Sequence, residues 1–92
     1  MKFTAQQIAN ILEGTIEGNP NVEVNSVAKI EEGSAGDLCF LANKKYTSHI
    51  YTSNASVIIV DNSFNLNKEI KATLIKVDDA YSSFSQLLEV YN

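Results

Sequence analysis

Phe40, Asn43 and Tyr46 set two aromatic rings and a carboxamide at three-residue spacing, the arrangement in this sequence best suited to holding a flat heterocycle. A planar base needs a ring face above and below it. An amide that both donates and accepts along the base edge supplies what aromatic rings lack. The run Phe40-Leu41-Ala42-Asn43-Lys44-Lys45-Tyr46 reads as a short strand turning into a helix, with Lys44 and Lys45 bringing positive charge near any bound phosphate. From spacing alone a plainer reading stands beside it, with Phe40 as core at a strand end, Tyr46 as a half-buried helix residue and Asn43 as a cap. Leu38 and Leu41 already supply core contacts at this point, which favours the slot.

Other chemistry is sparse. The single histidine, His49, falls one turn beyond Tyr46 and reads as a solvated or packing residue. No cysteine or histidine has zinc-binding spacing, and the acidic residues are scattered, so neither a metal site nor a carboxylate pair is expected. No catalytic residue and no cofactor are assigned. Gly33-Ser34-Ala35-Gly36 resembles a phosphate cradle only superficially, because Glu31, Glu32 and Asp37 surround it and Asp37 stands where a phosphate-binding lysine would follow the second glycine. It reads as a turn. Cys39 cannot form an internal disulfide and sits among apolar residues, which fits a buried filler in a reducing cytosol.

A net charge of −4 with all positive charge on lysine removes the guanidinium fork that reads phosphate and guanine, so no nucleic acid partner is expected. Met1-Lys2-Phe3-Thr4 lacks the apolar run of a signal peptide, and Ala55 to Val60 is far too short to cross a bilayer. The chain reads as cytoplasmic, without membrane insertion. Its 92 residues, 45% hydrophobic and 20% charged, make one small domain.

The elements that must position the motif follow from local pattern. Thr4 and Gln7 make a capping box for a first helix carrying Ile8, Ile11 and Leu12 on one face, with Gly14 as its left-handed stop. Thr15 to Glu17 is a short strand, Gly18-Asn19-Pro20-Asn21 a turn, and Val22-Glu23-Val24-Asn25 a strand extended through Val27 and Ala28. Asp37 to Leu41 is a brief strand, and Asn43 caps a helix from Lys44 to about Tyr51. Val57-Ile58-Ile59-Val60 is β-branched throughout, which predicts an interior, parallel strand buried on both faces at the sheet centre. Asp61 to Lys71 is a connector, Thr73 to Val77 a strand, and Asp78 or Asp79 caps a last helix with Ala80, Phe84, Leu87, Leu88 and Tyr91 in a stripe. The fold class expected is α/β, a small mixed-sheet sandwich of about four or five strands with helices on both faces. The chain stops at Asn92 on or just after a helix, without a polar tail, and is expected to be a piece of something longer.

At these residues the chain resembles the N-terminal domain of the UDP-3-O-acylglucosamine N-acyltransferases, lipid A enzymes that transfer a 3-hydroxyacyl chain from acyl carrier protein to the glucosamine 2-amine. The likeness includes Leu12-Glu13-Gly14, the Gly18-Asn19 turn, Val27-Ala28 with Gly36-Asp37 downstream, Ala55-Ser56-Val57-Ile58-Ile59 and the Tyr81 helix. It implies that residues 1–92 are a single uridine-recognition domain in which Phe40 and Tyr46 stack on the uracil with Asn43 nearby. The family often has proline after the asparagine, where Lys44 stands here; proline would preorganise the first turn, and lysine leaves it more freedom.

The resemblance further implies UDP-3-O-acylglucosamine as ligand and acyl carrier protein as a partner through domains absent here. Those domains are a trimer-forming left-handed β-helix of hexapeptide repeats and C-terminal helices, while the isolated domain is expected to be monomeric. The family's catalytic histidine lies in the absent part, so His49 is not assigned that role and this chain is expected to be inactive by itself. Two alternatives stay open: the N-terminal domain of a Mur-type peptidoglycan ligase, and an interaction module that binds no nucleotide and keeps Phe40 and Tyr46 in its core. Hexapeptide repeats beyond Asn92 would mark the acyltransferase, and a phosphate-binding glycine loop the ligase.

Overall fold

The computed structural model describes residues 2–91, without the side chain of Tyr91, so the expectations for Met1, for the Tyr91 ring and for the ending at Asn92 lie outside the described residues. Strand β1 (Phe3–Thr4) runs directly into helix α1 (Ala5–Leu12), because Thr4 and Gln7 close the capping box. The Thr4 hydroxyl accepts from the Gln7 N–H at 3.1 Å, and the Gln7 side-chain carbonyl accepts from the Thr4 N–H at 2.8 Å. The helix ends one residue earlier than expected. Glu13, not Gly14, takes the left-handed conformation, with φ 55°. Gly14 serves a different need, since a Cβ there would lie 2.8 Å from Ile75 Cγ2 and 2.9 Å from the Lys76 carbonyl oxygen. The chain has to pass that close to enter β2 (Thr15–Glu17).

The expected long strand from Val22 to Ala28 is two strands in two sheets. β3 (Glu23–Val24) pairs with β1, and β4 (Ser26–Val27) pairs with β5 (Asp37–Leu41). Asn25 is the crossing point, its N–H donated to the Gly36 carbonyl at 2.9 Å. β6 (Val57–Asp61) and β7 (Thr73–Val77) complete a five-stranded mixed sheet in the order β2-β7-β6-β5-β4, parallel except for β2. The continuous apolar run therefore does sit at the centre, parallel to both neighbours.

Period-two alternation divides the core. Val57 and Ile59 face a cluster with Leu38, Ile75, Ile8 of α1 and Leu87 of α2 (Ala80–Tyr91), while Ile58 and Val60 face a second cluster with Cys39, Leu41, Leu74 and Ile50. All four residues of the run are fully buried, and such burial is worth about 1.5–3 kcal/mol for each side chain. The layers differ in kind. α1 and α2 cover the first face, whereas the second is covered by 3₁₀ segments, Ile30–Glu32 and Lys44–Tyr51, and by the Asp61 to Lys71 connector. The predicted helix from Lys44 has the expected bounds but the tighter winding. Thr47, Ser48, His49 and Ile50 are weak helix formers, so little favours the α form in their run.

Candidate functional site

The site begins with a mismatch in strand length. β4 pairs with β5 only through Ser26 opposite Asp37 and Val27 opposite Leu38, so the outer side of β5 from Cys39 to Leu41 has no strand partner. Chain direction then brings two opposite faces of the sheet to one opening. Phe40 packs with the α-helical cluster, and Tyr46 with the cluster on the other face, where the 3₁₀ segment returns. Both rings, half-buried, line a cavity of about 280 Å³ at the carboxyl end of β5, together with exposed Asn43. Ligand crevices in open α/β sheets lie outside the carboxyl ends of the strands. Pockets for drug-sized ligands run to about 300–1,000 Å³, so this one has room for a single flat heterocycle or a nucleoside.

Each candidate side chain has a neighbour within the protein. The Phe40 ring stacks on Phe84 of α2, with centroids 4.3 Å apart and planes 23° apart, so one of its faces is occupied by protein. Lys45 Nζ lies 5.4 Å from the centroid of the Tyr46 ring. Asn43 caps the 3₁₀ segment as expected, its side-chain oxygen accepting from the Lys45 N–H at 3.0 Å. That bond commits the amide oxygen and leaves the Asn43 Nδ2 group as the donor to present to a ligand.

The structure adds residues that the spacing did not reveal. Tyr81, on the first turn of α2, and Lys29, beside the first 3₁₀ segment, line the same cavity. Tyr81 stands three and seven residues before Phe84 and Leu88, at the border of the apolar stripe of α2, yet is 63% exposed, so the stripe pattern gave no signal that it lines a cavity. Of the lysines expected beside the rings, only Lys45 is near one. Lys44 instead lines a neighbouring cavity of about 250 Å³ with Thr47, Asp61 and Phe64. His49 is half-buried, its ring 5.9 Å from that of Tyr46. An apolar hollow formed by Val27, Ala28, Phe40 and Phe84 continues the site along the sheet edge.

Charge around the site is fixed by hydrogen bonds. Asp37 opens β5 and accepts from the Ser26 hydroxyl, from the Ser34 N–H at 3.0 Å and from the Ser34 hydroxyl at 3.1 Å. The Ser26 hydroxyl most of all, then the Ser34 N–H, holds its carboxyl below the usual value of 3.8. The glycine loop thus donates to a carboxylate of its own strand. Burial pushes the Cys39 thiol up to about 11, with the charges of Asp37 and Glu31 adding to it, so Cys39 stays a protonated filler at neutral pH. Among the described residues no group of three His, Cys, Asp or Glu side chains is placed to hold a metal ion, and no helix is long and apolar enough to cross a membrane.

Comparison with known proteins gives one family. The model of the family described as UDP-3-O-(3-hydroxymyristoyl) glucosamine N-acyltransferase, LpxD, matches residues 21–90. A UDP-3-O-acylglucosamine N-acyltransferase of Christiangramia forsetii is 62% identical over 92 residues, covering 100% of this chain and 27% of that protein. A protein of the same name from Cytophaga hutchinsonii is 47% identical over 91 residues, covering 99% of this chain and 26% of that one. Another, from Methylacidiphilum infernorum, is 29% identical over 92 residues, covering 100% and 26%. The chain spans about a quarter of the length of these curated relatives.

Proposed function

Because the chain belongs to the UDP-3-O-acylglucosamine N-acyltransferase family, we propose that residues 1–92 are its uridine-recognition domain and that the cavity between Phe40, Asn43 and Tyr46 receives the uracil of UDP-3-O-acylglucosamine. The observation that carries the reading is the convergence of these three side chains, drawn from both faces of the sheet, on one opening of nucleoside size. A base entering it lies on the face of Phe40 that Phe84 leaves free, with Tyr46 and the Asn43 amide contacting it from the 3₁₀ side.

The chemical step belongs to the parent enzyme, which forms an amide by moving a 3-hydroxyacyl group from the thioester of acyl carrier protein to the glucosamine 2-amine in lipid A biosynthesis. A general base outside this chain would take the proton of the attacking amine, and the thiol of the carrier would leave. This domain contributes position. Holding the nucleotide end fixes where the amine can reach, which converts binding energy into a higher effective concentration of substrate. The parent works in the cytoplasm as a homotrimer built on its β-helical part, and the domain alone does not catalyse acyl transfer. The apolar packing behind Phe40 and Tyr46 is shared by the core, but their opening into one cavity favours ligand contact over an interaction module.

In the full-length enzyme, Phe40→Ala and Tyr46→Ala are expected to raise KM for the UDP-linked substrate about 5- to 100-fold, from the loss of roughly 1–3 kcal/mol of stacking, with a much smaller change in kcat. Steady-state kinetics at varied substrate check this. Unchanged KM in both variants would sink the reading.

A further inference from the structure

We propose that Tyr81 is a specificity-determining residue of this site: its ring is an upright wall that limits the slot to a one-ring base. The inference rests on the uridine-slot reading and goes beyond it, since stacking on Phe40 and Tyr46 does not itself distinguish a pyrimidine from a purine. Every base has a π face, and base stacking on aromatic rings is tolerant of sequence.

The geometry points to Tyr81 in three ways. Its ring centroid lies 6.3 Å from that of Phe40 and the two planes are 71° apart. A base lying flat on Phe40 is therefore steeply inclined to the Tyr81 ring, and a ring standing across the plane of the base limits the width that the cavity admits. The residue is 63% exposed, too open for its role to be core packing, and it lines the cavity together with Asn43 and Tyr46. Its backbone is also held by side-chain caps. Asp79 accepts from the Tyr81 N–H at 3.0 Å, and Asp61 accepts from the N–H of fully buried Ala80 at 2.7 Å, tying the first turn of α2 to the end of β6. Lys29, beside the first 3₁₀ segment, and Glu31 within it also line the cavity.

Discrimination by a wall works through exclusion of the wrong ligand rather than through an added attraction for the right one. Removing the wall should hence admit purines and weaken the preference for a one-ring base. The test is equilibrium dialysis of radiolabelled UDP-N-acetylglucosamine on the full-length enzyme, with UDP, ADP and GDP as competitors, for the wild type, Tyr81→Ala, Tyr81→Phe and Phe40→Ala. Tyr81→Ala is expected to narrow the ADP-to-UDP ratio of competition constants by about tenfold or more. Tyr81→Phe should discriminate as the wild type does, because the ring and not the hydroxyl is the wall. An unchanged ratio in Tyr81→Ala, or a ratio lost equally in Tyr81→Phe, would overturn the proposal while leaving the slot standing. Failure of the wild type to bind the labelled nucleotide, or full binding in Phe40→Ala, would overturn the slot and the wall with it.

Discussion

Asn43 caps the 3₁₀ segment and, on the proposed reading, also contacts the base, and the two duties can be separated. Its amide oxygen caps the 3₁₀ segment through the Lys45 N–H, and its Nδ2 group remains to meet a ligand. Asn43→Ser keeps an oxygen able to cap and deletes the amide donor, so stability should hold within about 0.5 kcal/mol while affinity for a uridine nucleotide falls. Asn43→Ala loses both, and should cost about 1 kcal/mol of stability in addition. Urea titrations paired with nucleotide binding measure the two effects; equal binding by Asn43→Ser and wild type would restrict Asn43 to capping. The three-residue spacing of Phe40, Asn43 and Tyr46 makes these residues legible in sequence, because a strand end, a cap and a following turn each have local signatures. Tyr81 is not legible as a neighbour. Its approach to Phe40 depends on how α2 lies across β5, a packing relation that no local pattern encodes.

Asp37 shows how an element is fastened next to the site. By accepting from Ser26 it ties the short edge strand β4 to the start of β5, and by accepting from Ser34 it closes the loop that leads there. A carboxyl whose folded pKa is lowered contributes stability above its unfolded value of 3.8 and loses it as pH falls through the folded value. Thermal melts of Asp37→Asn should therefore fall below those of wild type at pH 7, and the gap should shrink below about pH 4. A gap that is the same at both pH values would rule out the ionised clamp. The central strand is legible in the residue pattern alone, since four consecutive β-branched residues, Val57 to Val60, suit a position covered on both faces. The division of Val22 to Ala28 into two strands is not, because alternation persists through Asn25 while the pairing partner changes from β1 to β5. That division shapes the cavity: it leaves β4 only two residues long and the outer side of β5 at Phe40 without a strand partner.

Taken whole, the molecule is a small sheet with a cavity beside the edge where β4 stops short of β5, and its size limits what it can do alone. Stacking supplies roughly 1–3 kcal/mol per base, and association has its own entropic cost. Binding by the isolated chain should be weak, with Kd near or above about 1 mM, or about −4 kcal/mol. This chain spans about a quarter of its relatives' length, and on the proposed reading contacts to the diphosphate and sugar would come from the rest of the parent enzyme. An amide-resonance titration of the chain with UDP-N-acetylglucosamine, with ADP-glucose as the control for phosphate attraction, tests the base slot most directly. Saturable shifts centred on Phe40, Asn43 and Tyr46 with the uridine ligand alone are predicted. Matching shifts with ADP-glucose, or none with either ligand at tens of millimolar, would contradict a uracil site in this domain.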